Sequence, residues 1–163
     1  MNTVIKAEEI AFNERGLKKA LEKLEGSTMY DVQTLVYYPY LFHEFKVKSR
    51  SVIKRTGEKA GCTVDGINKL GALIDIAPKF TDLEIDKKSV MPKRLTESEA
   101  LDVAERFLFE SIASRIKILK MPSLELIKQE TFHRPYWIVE GRRKEYGSFY
   151  ITVDAVTGKY HPI

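Results

Sequence analysis

One stretch of this chain occurs twice. Tyr38-Pro39-Tyr40-Leu41-Phe42-His43-Glu44, followed by Thr63-Val64-Asp65-Gly66, returns as Arg134-Pro135-Tyr136-Trp137-Ile138-Val139-Glu140 and Thr152-Val153-Asp154-Ala155. Self-similarity at long spacing is the sequence signature of a fold built from copies of one supersecondary unit. The 163 residues then divide into two units of about 80 residues, too small to hold a generous core unless they share an interface.

Each copy opens on a helix pattern. Leu17, Ala20, Leu21 and Leu24 share one face of a helix over 13–25, with Asn13 as its cap and Gly26 as its stop. Thr96-Glu97-Ser98-Glu99 is a capping box ahead of Ala100, Val103, Ala104, Phe107, Leu108 and Ile112 at helical spacing. Stretches rich in β-branched and aromatic residues follow, predicting strands at 32–48, 58–66 and 70–76, and at 124–131, 135–141, 147–154 and 159–162. Gly141-Arg142-Arg143-Lys144 and Thr157-Gly158 read as turns, and Lys-rich, proline-bounded Pro78–Pro92 as a linker. The expected fold class is therefore α+β, two tandem repeats, each an α-helix packed on an antiparallel β-meander. The units run over 1–77 and 93–163, joined by 78–92 and packed as one globule. The Asp65-to-Gly71 interval exceeds the Asp154-to-Gly158 interval by two residues, which predicts a longer final turn in the first copy. Its longer central hairpin carries Arg50, Lys54, Arg55 and Lys59.

Composition disfavours most common chemistries. The net charge of +4 is split evenly, +2 in residues 1–82 and +2 in 83–163, without the basic concentration of a dedicated nucleic-acid binder. No run approaches the roughly 18 apolar residues of a membrane span. Acidic Glu8 and Glu9 interrupt any apolar leader, so a cytoplasmic location is expected. The single Cys62 and three histidines show no metal-ligand spacing, and no phosphate-binding glycine loop or nucleophile motif is present. Neither a metal nor another cofactor is expected.

The run Phe149-Tyr150-Ile151-Thr152-Val153-Asp154-Ala155-Val156-Thr157-Gly158-Lys159-Tyr160, preceded by an amphipathic helix and by Pro135-Tyr136-Trp137-Ile138-Val139, resembles the end of a PepSY-like module. Such modules close on a strand, a Val-Asp step, a Thr-Gly turn and a last strand. The first copy keeps Val64-Asp65 but departs from the turn at Ile67-Asn68-Lys69-Leu70-Gly71. The resemblance implies cystatin-like α+β units and regulation of peptidases through protein binding.

Strand alternation supplies the candidate site. Tyr37, Pro39, Leu41, His43, Phe45 and Val47 fall on the face assigned to the helix, leaving Tyr38, Tyr40 and Phe42 opposite, with Tyr136 and Ile138 at the matching places of the second copy. Tyr38, Tyr40, Phe42, Tyr136 and Ile138 are accordingly the candidate partner-binding residues, covered either by the other copy or by a protein partner. The expected function is a non-enzymatic interaction or regulatory module, binding through this aromatic face or a strand edge. A homo-oligomer is compatible with either. The alternatives are a small enzyme using His43, Glu44 or Asp65 in a cleft between the copies, and weak nucleic-acid binding through the basic hairpins.

Overall fold

The computed structural model describes residues 1–24, 28–48, 58–115 and 123–163. In chain order the elements are β1 (Asn2–Glu8), α1 (Glu14–Glu22), β2 (Thr28–Lys48), β3 (Glu58–Asp65), β4 (Gly71–Ile74) and β5 (Phe80–Asp86), then α2 (Glu97–Arg115), β6 (Ser123–Arg143), β7 (Gly147–Asp154) and β8 (Tyr160–Pro162). Strand accounts for 56% and helix for 21% of the described residues, and the strands form one mixed eight-stranded sheet. Its hydrogen-bonded order is β4-β3-β2-β6-β1-β5, with β7 on β6 and β8 on β7. This overturns the expected fold class: the chain is predominantly β and is not a tandem pair of helix-plus-meander units.

The helices show why. Leu17 and Leu21 of α1 pack on Val139 of β6 and on Ile151 and Val153 of β7, strands that lie far along the chain. Ala100, Ala104 and Leu108 of α2 pack on Leu41 and Phe45 of β2 and on Cys62 and Val64 of β3, strands that precede it. The fully buried partners of each helix come from outside the hairpin that follows it, which contributes only partly buried residues such as Tyr30 and Val32 for α1 and Leu124 for α2. The compact units are correspondingly interleaved, one made of 1–38, 79–91 and 133–163, the other of 39–78 and 92–132. Both caps form as the sequence suggests: Asn13 accepts from Gly16 N–H at 2.8 Å, and the Thr96 hydroxyl accepts from Glu99 N–H at 3.1 Å.

Pro78–Pro92 is not simply a linker. Phe80–Asp86 is a strand paired antiparallel with β1 from Asn2↔Asp86 to Glu8↔Phe80. Nor does Pro135 separate two strands, since β6 runs unbroken through it as β2 runs through Pro39. Proline is tolerated in a long strand where no ladder bond needs its missing N–H. The Pro39 carbonyl accepts from Gly66 N–H, and that of Pro135 from Ala155 N–H, each just past the end of β3 or β7. On the N-terminal side of these prolines the strands take parallel neighbours instead, Val90 beside Tyr37 and Ala7 beside His133. The prolines mark where each long strand changes neighbour.

The likeness between the two stretches resides in the corners that follow. Asp65 Oδ1 accepts from Ile67 and Asn68 N–H, as Asp154 Oδ1 does from Val156 and Thr157. Lys69 N–H donates to the Asp65 carbonyl at 3.0 Å, and Gly158 N–H to that of Asp154 at 2.8 Å. The turns are equally long, contrary to the expected two-residue difference, because Lys69 (φ 60°) takes the left-handed conformation that Gly158 (φ 79°) takes in the other. The β6–β7 turn likewise falls at 144–146, after the 141–144 expected from Gly141 and the basic run.

Candidate functional site

Among the described residues three strands end the hydrogen-bonded order and could pair further: β4, β5 and β8. On β5, Asp82, Glu84 and Asp86 are exposed, and charges along an edge oppose the addition of another strand. The other two edges can be compared position by position, because their corners match.

Antiparallel pairing alternates residues whose backbone groups face the neighbour with residues whose groups face away. Asp65 N–H donates to the Leu70 carbonyl at 2.8 Å, so Leu70, Ala72 and Ile74 face β3 while Gly71 and Leu73 present N–H and C=O outward. Asp154 N–H donates to the Lys159 carbonyl at 2.8 Å and Ile163 N–H to that of Tyr150 at 3.0 Å. On β8 the outward positions are therefore Tyr160 and Pro162. Proline has no N–H, so this edge is blunted where β4 carries Leu73. The β4 segment has no charge between Leu70 and Ile74 and is apolar in solvent: Leu70, Leu73 and Ile76 are 67%, 37% and 81% exposed. Strand patterning does not separate this edge from the others; the contrast of Leu73 with Pro162 does, but only once the corners are aligned on Lys69 and Gly158.

The predicted aromatic residues are largely occupied with each other. In one unit Tyr38 meets Tyr136 edge-to-face at 6.1 Å, both half-buried, and Ile138 is half-buried as well. In the other, half-buried Tyr40 stacks on Phe132 at 5.8 Å, and Phe42 is only 3% exposed.

His43 is fully buried beneath α2. The Gln129 side-chain amide lies 2.9 Å from His43 Nε2 and donates at 2.8 Å to the Glu97 carbonyl, an arrangement suited to a neutral imidazole. Burial pushes the His43 pKa down to about 4, and the Leu41 backbone offsets only part of this, since Nδ1 makes no well-formed hydrogen bond. Glu44 pairs with Lys59 at 3.4 Å, and Asp65 is engaged in its turn, so neither is presented with His43 as an acid–base pair. Cys62 is buried with its pKa raised to about 11, which keeps the thiol protonated and unreactive. Among the described residues no three His, Cys, Asp or Glu side chains gather as a metal site.

Of the basic hairpins, Arg142 bonds Glu140 at 3.1 Å and Arg143 bonds Thr28 at 3.2 Å while lying over the Phe149 ring. Arg50, Lys54 and Arg55 lie outside the described residues. Half-buried Arg134 bonds Asp154 at 2.9 Å and stands 3.5 Å from Glu8. Burial raises the Glu8 pKa against the lowering influence of Arg134. Among the described residues no helix is long and apolar enough to cross a membrane.

No protein-family model, curated protein or solved structure matches the chain.

Proposed function

We propose that this protein is a non-enzymatic interaction module whose docking element is the outer edge of β4, where an extended segment of a protein partner adds as a further strand. The contrast between Leu73 and Pro162 at matched outward positions carries this reading. β4 alone among the three edges carries two outward N–H groups, at Gly71 and Leu73, on an uncharged, exposed apolar segment, where β8 keeps only that of Tyr160. Backbone bonds at Gly71 and Leu73 would supply affinity, and Leu70, Leu73 and Ile76 would select apolar side chains, as in β-augmentation generally. The aromatic residues on β2 and β6 support the strands in this reading rather than make the contact. A cytoplasmic setting belongs to it too, in keeping with Cys62 as a buried free thiol.

Leu73→Pro tests the proposal, because it removes one outward N–H and reproduces the β8 edge. A displayed library of short extended peptides, panned on both proteins, should yield binders specific to the wild-type protein, and N-methylation of their backbones should abolish binding. Peptides recovered equally on both proteins, or none on either, would refute strand addition at β4. Within this reading the PepSY resemblance nominates peptidases as the partner class. Inhibition of a co-purifying peptidase by the wild-type protein and not by Leu73→Pro is the corresponding measurement.

A further inference from the structure

We infer that the edge of β4 takes a second copy of this chain, so that two molecules join β4 to β4 in antiparallel fashion about a two-fold axis through Ala72. The inference rests on the open edge proposed above and assigns its occupant. A two-fold pairing uses one patch on both molecules and requires that patch to complement itself.

The register decides whether the patch complements itself. Outward-facing Gly71 and Leu73 must meet outward-facing residues of the second copy, which restricts the axis to a whole residue. An axis through Gly71 sets Leu73 against Lys69, whose N–H already donates to the Asp65 carbonyl. An axis through Leu73 sets Lys69 against Ala77 and Asp75 against Gly71, leaving both charges unmatched across the seam. The axis through Ala72 instead places Lys69 of each copy opposite Asp75 of the other, and Leu70 opposite Ile74.

The same register fits the side chains. Leu73 of the second copy comes opposite Gly71, over which the Phe107 ring already lies, close enough that a Cβ on Gly71 would meet it at 2.6 Å. The added Leu73 therefore finds an apolar neighbour where the glycine has none of its own. Lys69 is available for the pairing, since its present contact with Glu99, at 3.5 Å, joins two half-exposed side chains. With few backbone bonds and a small apolar area the dimer is weak and concentration-dependent.

Sedimentation velocity over a concentration series should show a monomer–dimer equilibrium that Leu73→Pro shifts to monomer. Ala72→Cys should form an intermolecular disulfide on mild oxidation, because residues on the axis form a non-hydrogen-bonded pair with Cβ atoms about 5 Å apart. Buried Cys62 does not compete. Asp75→Lys and Lys69→Glu alone should each weaken the dimer by about tenfold or more, and their combination should restore it. A protein monomeric at all concentrations overturns the inference, as does a dimer insensitive to Leu73→Pro or one cross-linked through Leu73→Cys and not Ala72→Cys. If the monomeric protein still binds the displayed peptides, only the dimer falls. If it binds none, the open-edge reading falls with it.

Discussion

His43 shows what a single residue contributes when the surrounding strands bury it. Its pKa lies near 4 in the fold against 6.5 in the unfolded chain, so between those values the unfolded state binds the proton that the native state refuses. Stability is therefore complete above about pH 6.5 and declines as pH falls toward 4, with a ceiling of about 3 kcal/mol from this residue. Glu8 acts in the opposite sense: its raised pKa lets the folded chain take up a proton before the unfolded chain does. The two are separated by comparing urea denaturation of the wild-type protein with His43→Gln between about pH 7 and pH 4.5. His43→Gln should flatten the decline; equal slopes would show that His43 titrates normally. The sequence puts His43 on the face expected to meet the first helix, but α2 covers that face and the partner Gln129 is 86 positions away. A local pattern cannot reveal that contact. Lys69 is a similar case, because a left-handed lysine looks in sequence like a missing turn glycine.

Elements were legible where their signals are local. Asn13 and Thr96 announce their helices, and the Asp65 and Asp154 corners carry carboxylates that cap their own turns. β1 and β5 were not legible, because each is a mixed polar strand stabilised by the other along the register Asn2↔Asp86 to Glu8↔Phe80. Pro135 misled in the second stretch for a physical reason. Proline ordinarily ends a ladder, but Pro135 lies at a change of neighbour where nothing requires its N–H. The candidate docking edge stayed hidden in turn, since it depends on which backbone groups of β4 and β8 face outward. For the predicted aromatic residues, burial now sets different costs. Phe42→Ala, at a 3% exposed position, should destabilise by about 3 kcal/mol, whereas Tyr40→Ala, half-buried against Phe132, should cost roughly half as much. Equilibrium denaturation checks both, and a Phe42→Ala protein as stable as the wild type would show that this side chain is not part of the core.

At the scale of the whole molecule, the chain passes between its two compact units at each of the boundaries near 38, 78, 91 and 132. A cut within 78–92 therefore does not follow the packing. A fragment of residues 1–77 would retain α1 but lose Val139, Ile151 and Val153, which cover Leu17 and Leu21. Burying each of those leucines is worth about 2 kcal/mol, and a nine-residue helix without that burial is not stable in water. The fragment 93–163 suffers the reciprocal loss, because α2 would lack Leu41, Phe45, Cys62 and Val64. Each fragment alone should show no cooperative thermal transition by circular dichroism, and mixing the two should restore one, since each supplies the surface that the other's helix requires. Adding Leu17→Ala to fragment 1–77 should weaken that reconstitution, and Leu108→Ala should do so in fragment 93–163. A fragment 1–77 that melts cooperatively by itself would mean that α1 can find its core within its own stretch of chain, and that the interleaved packing is not what holds the helix in place.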